Sequence, residues 1–258
     1  MNTNIAVHDF YTFLLVFARI GGLMSAAPLF SNRAIPNQVK AGFMLVFSLA
    51  LTPLVAPHTG PVPESLLLLM GGVLKDALFG LAVGFVARVM FAAVEMAGYF
   101  TDTQMGFGFI NLINPFSEQQ ASLMSTFQYQ LAITIYLLAN GHLILLGSLR
   151  NSFQAVPPGA VMLQGSVAQV VAPLMKSMFI LGLQMALPAI GVLLLIDVAF
   201  GLIARMVPQI NIFIVGMPAK VIVGLMIVAM VLPVISLIVG NIISGTSIGL
   251  NALVMATK

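Results

Sequence analysis

The chain has 258 residues, 60% of them hydrophobic and 7% charged, against about 25% charged in a soluble domain, so it reads as an integral membrane protein. Its apolar runs are continuous rather than alternating, which argues against a β-barrel and leaves helices to satisfy the backbone. A net charge of +3 gives no footprint for nucleic acid, and with no cysteine there are no disulfides, thiol catalysis or thiolate metal sites.

Met1-Asn2-Thr3-Asn4 lacks the basic start of a signal peptide, so the first segment is expected in the mature protein. The first apolar run covers residues 10–30 and carries Arg19. In the polar segment 31–40, Arg33 and Lys40 favour the cytoplasmic side. A second span covers 41–55. The proline-rich segment 57–64 has no Lys or Arg and is expected outside. Residues 65–101 form the longest helix candidate, about 54 Å as one helix against a hydrocarbon core of about 30 Å. It must break at Gly71-Gly72, project from the bilayer, or escape ordinary lipid packing. Along it Gly72, Asp76, Gly80, Gly84 and Arg88 recur every fourth residue, a small-and-polar stripe on one slowly drifting face. Such a stripe suits close helix contact, within the chain or with a neighbouring subunit.

The next stretch, Gln104-Met105-Gly106-Phe107-Gly108-Phe109-Ile110-Asn111-Leu112-Ile113-Asn114-Pro115-Phe116, alternates glycine with phenylalanine and then meets a proline. Glycine loosens the backbone and proline forbids a continuing helix, so irregular backbone is expected. Among membrane segments such backbone is tolerated only outside the hydrocarbon, inside protein, or along a watery cavity. An apolar span over 122–149 follows. Ser125, Thr126, Gln128, Tyr129 and Gln130 in its first half are expected to face protein or water. Pro157-Pro158-Gly159 marks a turn within 150–170, a boundary between two halves. Two further apolar segments, 171–203 and 212–244, are joined by a basic connection with Arg205, and Lys220 lies nearby. Pro173, Pro188, Pro218 and Pro233 fall inside them and are expected to kink helices. The sum is an all-α protein of about six apolar segments with both termini outside. That order leaves the central loop, with Asp102 and Glu118, on the cytoplasmic side without Lys or Arg. The conflict sets this loop apart from an ordinary cytoplasmic one.

A search for chemistry finds no catalytic, cofactor or metal site. His8, His58 and His142 lack ligand spacing. Ser244-Gly245-Thr246 has no base partner. Gly106-x-Gly108 is no dinucleotide fingerprint, because Asn111 stands where the third glycine belongs. The ionisable residues in apolar segments are Arg19, Lys75, Asp76, Arg88, Glu95, Lys176 and Asp197. Such groups mark a pathway or a buried pair. Asp197 and Arg205 lie two turns apart on one face, placed to pair with neighbouring subunits or to serve as buried structural pairs. The 17 methionines fill cores adaptably. Met105, Phe107 and Phe109 on a glycine-rich backbone also suit a deformable seal, the alternative being a loop that only turns the chain. A secondary transporter for a small solute, with a pathway through Asp76, Arg88 and Glu95, is a second reading.

Phe17-Ala18-Arg19-Ile20, Ala27-Pro28-Leu29, Ile35-Pro36, Lys40-Ala41-Gly42 and Leu51-Thr52-Pro53 together resemble the N-terminal region of the FliR family. So do Gly80-x-x-x-Gly84, Arg88, Ala97-Gly98, Asp102, Gln104-Met105-Gly106-Phe107 and Asn114-Pro115. The family is shared between flagella and virulence type III secretion systems. The resemblance covers nearly the whole chain, although the C-terminal half is matched mainly by its hairpin pattern. It implies a non-enzymatic subunit of the flagellar export gate, working with FliP and FliQ beside FlhB and FlhA in the bacterial inner membrane at the flagellar basal body. Unfolded flagellar proteins would pass through the channel so formed. It further implies a FliP-like part over 1–165 and a FliQ-like helical hairpin over 166–258. The loop 105–122 would lie in the lumen as a plug, sealing with Phe107 and Phe109 while Gly106 and Gly108 let them move; Ile110, Asn111, Pro115 and Phe116 belong to the same loop.

Overall fold

A computed structural model describes residues 2–32, 35–108, 122–161, 167–209 and 211–256. All regular structure among the described residues is helical: α1 (Asn2–Ala26), α2 (Asn37–Val55), a 3₁₀ turn (Ala56–His58), α3 (Leu66–Met105), α4 (Leu123–Leu138), α5 (Gly141–Ala155), α6 (Val167–Met206) and α7 (Ile212–Ala256). Five of these are long and apolar enough to cross a membrane, or six if the bent pair α4–α5 counts as one span.

Helix α3 runs unbroken through Gly71-Gly72 for 40 residues, about 60 Å at the α-helical rise. Of the three alternatives, a break at Gly71-Gly72 is the one the helix does not take, since each glycine weakens a helix by only about 1 kcal/mol and packing overrides that. In its apolar window 61% is buried, against 17% for α6 and 22% for α7. The span expected over 122–149 is two helices bent by 67°. Asn140 sits between them in the left-handed region at φ 56°, a conformation Asn tolerates, and Asn140-Gly141 is a turn signal that marked the break. Helices α6 and α7 run through Pro173, Pro188, Pro218 and Pro233.

By contacts the chain forms two compact units, each built from segments on both sides of residue 165. The first comprises Met1–Met90, Asn140–Met175 and Ile242–Lys258. Its core joins Val16, Ile20 and Leu23 of α1, Phe79 and Val83 of α3, and Leu145, Leu149 and Phe153 of α5. These positions recur at three- and four-residue spacing, one face of each helix. Gly72, Asp76, Gly80 and Gly84 of the stripe on α3 meet α1 of the same chain. A Cβ added at Gly80 would lie 1.9 Å from the carbonyl oxygen of Arg19, and one at Gly84 2.6 Å from that of Leu23. Gly72 faces Tyr11 and Leu15. Of the two openings left by the sequence, the contact within the chain is therefore the one these glycines make.

The second unit comprises Phe91–Ala139 and Lys176–Asn241. Here α3 and α4 meet where a Cβ at Gly98 would come within 2.3 Å of the Ser125 Cα. Phe91 of α3 meets Tyr129 and Tyr136 of α4 edge-on, at ring distances of 6.0 and 5.2 Å. Met105, Met124, Leu193 and Val228 close the core from α3, α4, α6 and α7.

Candidate functional site: a buried ion pair and the stem of the central loop

Arg19 and Asp76 are brought together in the first unit, both side chains fully buried. The pair follows from the close α1–α3 approach just described, which sets two polar residues opposite each other in an apolar core. Arg19 Nε donates to Asp76 Oδ1 at 2.6 Å and Nη2 lies 2.5 Å from the same oxygen. Nη1 donates to the carbonyls of Val156 at 3.0 Å and Ser152 at 3.4 Å, at the end of α5. The Ser152 carbonyl also accepts the Val156 N–H at 2.8 Å, and the guanidinium adds a second donor there and one at the Val156 carbonyl at the helix end. The rings of Phe79 and Phe153 flank the guanidinium at 4.7 and 4.4 Å. Asp76 Oδ2 accepts from the backbone N–H of Gly159, which adopts φ 78° in the Pro157-Pro158-Gly159 turn. The pair thus ties α1, α3, α5 and the turn after α5. Both side chains are enclosed by the described residues.

The other ionisable residues are placed differently. Arg88 and Glu95 are half-buried on α3, and Ser125 Oγ donates to the Glu95 carbonyl at 2.8 Å. Lys75, Lys176 and Arg205 are exposed. Asp197 does not depend on a neighbouring subunit for a partner, because its carboxylate meets the Lys220 ammonium across the α6–α7 hairpin. The sequence reading named no partner for Asp197 within the chain, because Lys220 lies on the next helix and only the hairpin geometry brings the two together.

The central loop leaves α3 through a helix stop of defined chemistry. Gly106 takes φ 87°, a region open to glycine at no steric cost. The Gly106 N–H donates to the Thr103 carbonyl and the Phe107 N–H to the Asp102 carbonyl, both at 3.2 Å. This is the Schellman pattern, which satisfies carbonyls at a helix end. Met105 is fully buried, with its side chain within 3 Å of where a Gly224 Cβ would stand on α7. Met105, Gly106 and Phe107 together line a cavity with Met217, Pro218, Val221 and Ile222 of α7. Phe107 is half-buried against the same core, near Met217 and Val221 of α7. A Cβ added at Gly108 would meet no other described residue within 4 Å. Phe109, Ile110, Asn111, Pro115 and Phe116 lie outside the described residues.

The chain returns at Ser122, whose hydroxyl caps α4 by accepting from the Ser125 N–H at 3.1 Å. Asp102 Oδ1 accepts from the Met124 N–H, also at 3.1 Å, within the first turn of α4. A carboxylate at a helix N-terminus is favoured by the exposed N–H groups and the dipole there. Asp102, Ser122 and Ser125 were not singled out as site residues by sequence. A serine just before an apolar run signals a cap, but nothing in the spacing of Asp102 reveals a partner 22 residues on. Gln128 is buried, and its Oε1 has no hydrogen-bond partner among the described residues. No group of His, Asp or Glu among the described residues has the arrangement of a metal site.

Residues 10–246 match the model of the bacterial export proteins, family 1. The chain is 35% identical to the flagellar biosynthetic protein FliR of Bacillus subtilis, over 94% of each chain. It is 33% identical to the Escherichia coli protein of that name over 84% of this chain and 83% of that one. With the Caulobacter vibrioides protein the identity is 32%, over 92% and 95%. The family model covers nearly the whole chain and these relatives match it at more than 30% identity over most of their length, so the chain belongs to the FliR family of bacterial export proteins.

Proposed function

We propose that the protein is a non-enzymatic subunit of the flagellar type III export gate. It forms, with FliP and FliQ and beside FlhB and FlhA, the channel through which unfolded flagellar proteins cross the bacterial inner membrane at the flagellar basal body, and it is needed for flagellum assembly. Family membership along residues 10–246 carries this reading. In this reading residues 1–165 form the FliP-like part and 166–258 the FliQ-like hairpin. The long faces of α6 and α7 left apolar in the isolated chain suit a protein that completes its packing against other subunits and lipid.

The loop over 105–122 closes the channel at rest and yields to substrate. Supporting this is a glycine- and phenylalanine-rich segment without Lys or Arg that leaves and re-enters the helical body at one place. Backbone of that kind is stable at membrane depth only where protein or a watery cavity surrounds it. Deleting residues 106–112 in the complex is expected to raise ion leakage across the inner membrane. Unchanged leakage together with unchanged export would refute the plug. Mass measurement of the complex purified in detergent tests the partners: a lone chain or homo-oligomer would return the reading to a transporter.

A further inference from the structure

We propose that the second unit binds one internal water molecule, held between the Gln128 amide and the Thr101 hydroxyl where α3, α4, α6 and α7 meet. Gln128 belongs to the polar stretch of α4 at residues 125–130, and it is turned inward. It is 6% exposed, and its Oε1 has no hydrogen-bond partner among the described residues. A buried amide oxygen without a donor is unfavourable in an apolar interior, and folded proteins satisfy nearly all such groups. Gln128 lines a small cavity with Thr101 of α3, Met185 and Ala189 of α6, and Val228 and Ile235 of α7. Thr101 is 1% exposed, and its hydroxyl donates to the Ala97 carbonyl at 2.9 Å. Its oxygen therefore keeps lone pairs with which to accept.

Size and chemistry select the occupant. The cavity gives a water-sized sphere about 10 Å³ of room, which is about one water position. No side chain or acyl chain of another molecule fits a space of that size. An apolar cavity stays dry, whereas one that contains a polar group in need of a partner takes up water. A water there gives one proton to Gln128 Oε1 and the other to Thr101 Oγ. The orientation of the amide does not alter this. With the amide rotated, its NH₂ group faces the cavity and the same water accepts from it. The bridge joins α4 to α3 at a level where α6 and α7 present only apolar side chains to the cavity. It accounts for a glutamine in this core, and it stands apart from the reading of the chain as an export-gate subunit.

The test is X-ray radiolysis of the full chain in lipid nanodiscs, with the subunits that co-purify with it, read by mass spectrometry. Radiolysis converts a bound water to a hydroxyl radical in place, so a buried side chain beside it is oxidised. Met185 is 5% exposed and lines the cavity, while Met24 and Met90, each 4% exposed, lie outside it. Met185 is expected to oxidise about tenfold or more faster than these two, where exposure alone would make the three alike. Gln128→Leu, which removes the amide, is expected to bring Met185 down to the rate of Met24 and Met90. Thr134→Val, at an exposed position of the same helix, is expected to leave Met185 unchanged. If Gln128→Leu does not fold, Thr101→Val, which removes the second partner and keeps the shape, is expected to slow Met185 severalfold. Equal rates for the three methionines in the parent protein overturn the proposal. So does a fast Met185 that neither substitution slows, because the oxidant then reaches it from outside.

Discussion

Replacing Asp76 by Ala should leave the Arg19 guanidinium stranded in an apolar core. Both side chains are at 0% exposure, so no water takes over from the lost carboxylate. What remains to Arg19 are the carbonyls of Ser152 and Val156 and two aromatic rings. Breaking one side of a buried pair costs about 3–5 kcal/mol in soluble proteins. The low end applies here, about 3 kcal/mol, because an unfolded chain in lipid also finds polar partners. The Gly159 N–H loses its acceptor as well, which adds about 1 kcal/mol or more. Removing both charges with Arg19→Met and Asp76→Leu should cost far less than the single change, because Phe79 and Phe153 offer an apolar slot of the right kind. The assay is loss of helical circular dichroism in mixed micelles on titration with a denaturing detergent, run on parent, both single variants and the double variant. Coupling of at least about 2 kcal/mol across the cycle is expected for residues sharing a buried hydrogen bond. Less than about 0.5 kcal/mol, the scatter expected of independent sites, would refute the claim that this pair holds α1 to α3.

Two other substitutions test the packing. Gly80→Ala should force α1 and α3 apart, since its Cβ would overlap the Arg19 carbonyl, and the melting temperature should fall sharply; Gly71→Ala, with open space around it, should stabilise the same helix by up to about 1 kcal/mol. Gly106→Ala should cost about 1–2 kcal/mol in the same detergent titration, because an alanine pays a steric penalty at φ 87° that glycine avoids.

Much of the fold was legible. The apolar runs located the helices, because helix formation in an apolar solvent depends on local backbone bonding, but not all their ends: the first begins at Asn2 rather than at 10 and the last runs on to Ala256 rather than 244. That irregular backbone follows the long helix was legible from its glycines and proline, while the helix itself runs to Met105, past the end at 101 read from the sequence. Gly72, Gly80 and Gly84 announced a close contact but not its partner, and the structure gives them α1. The bend at Asn140-Gly141 was written in the sequence and passed over because hydrophobicity continued across it. Asp197 with Lys220 and Asp102 with Met124 were not legible, because each joins elements whose register no local pattern sets.

Composition and local pattern thus determined a polytopic helical chain, its family motifs and an irregular central segment. Tertiary structure decided where the polar groups go. A charge in an apolar helix must find a partner, and which partner depends on helix pairs brought within a few ångströms by glycines tens of residues away. The same dependence makes Asp102 a stem residue rather than one more acidic residue near a loop.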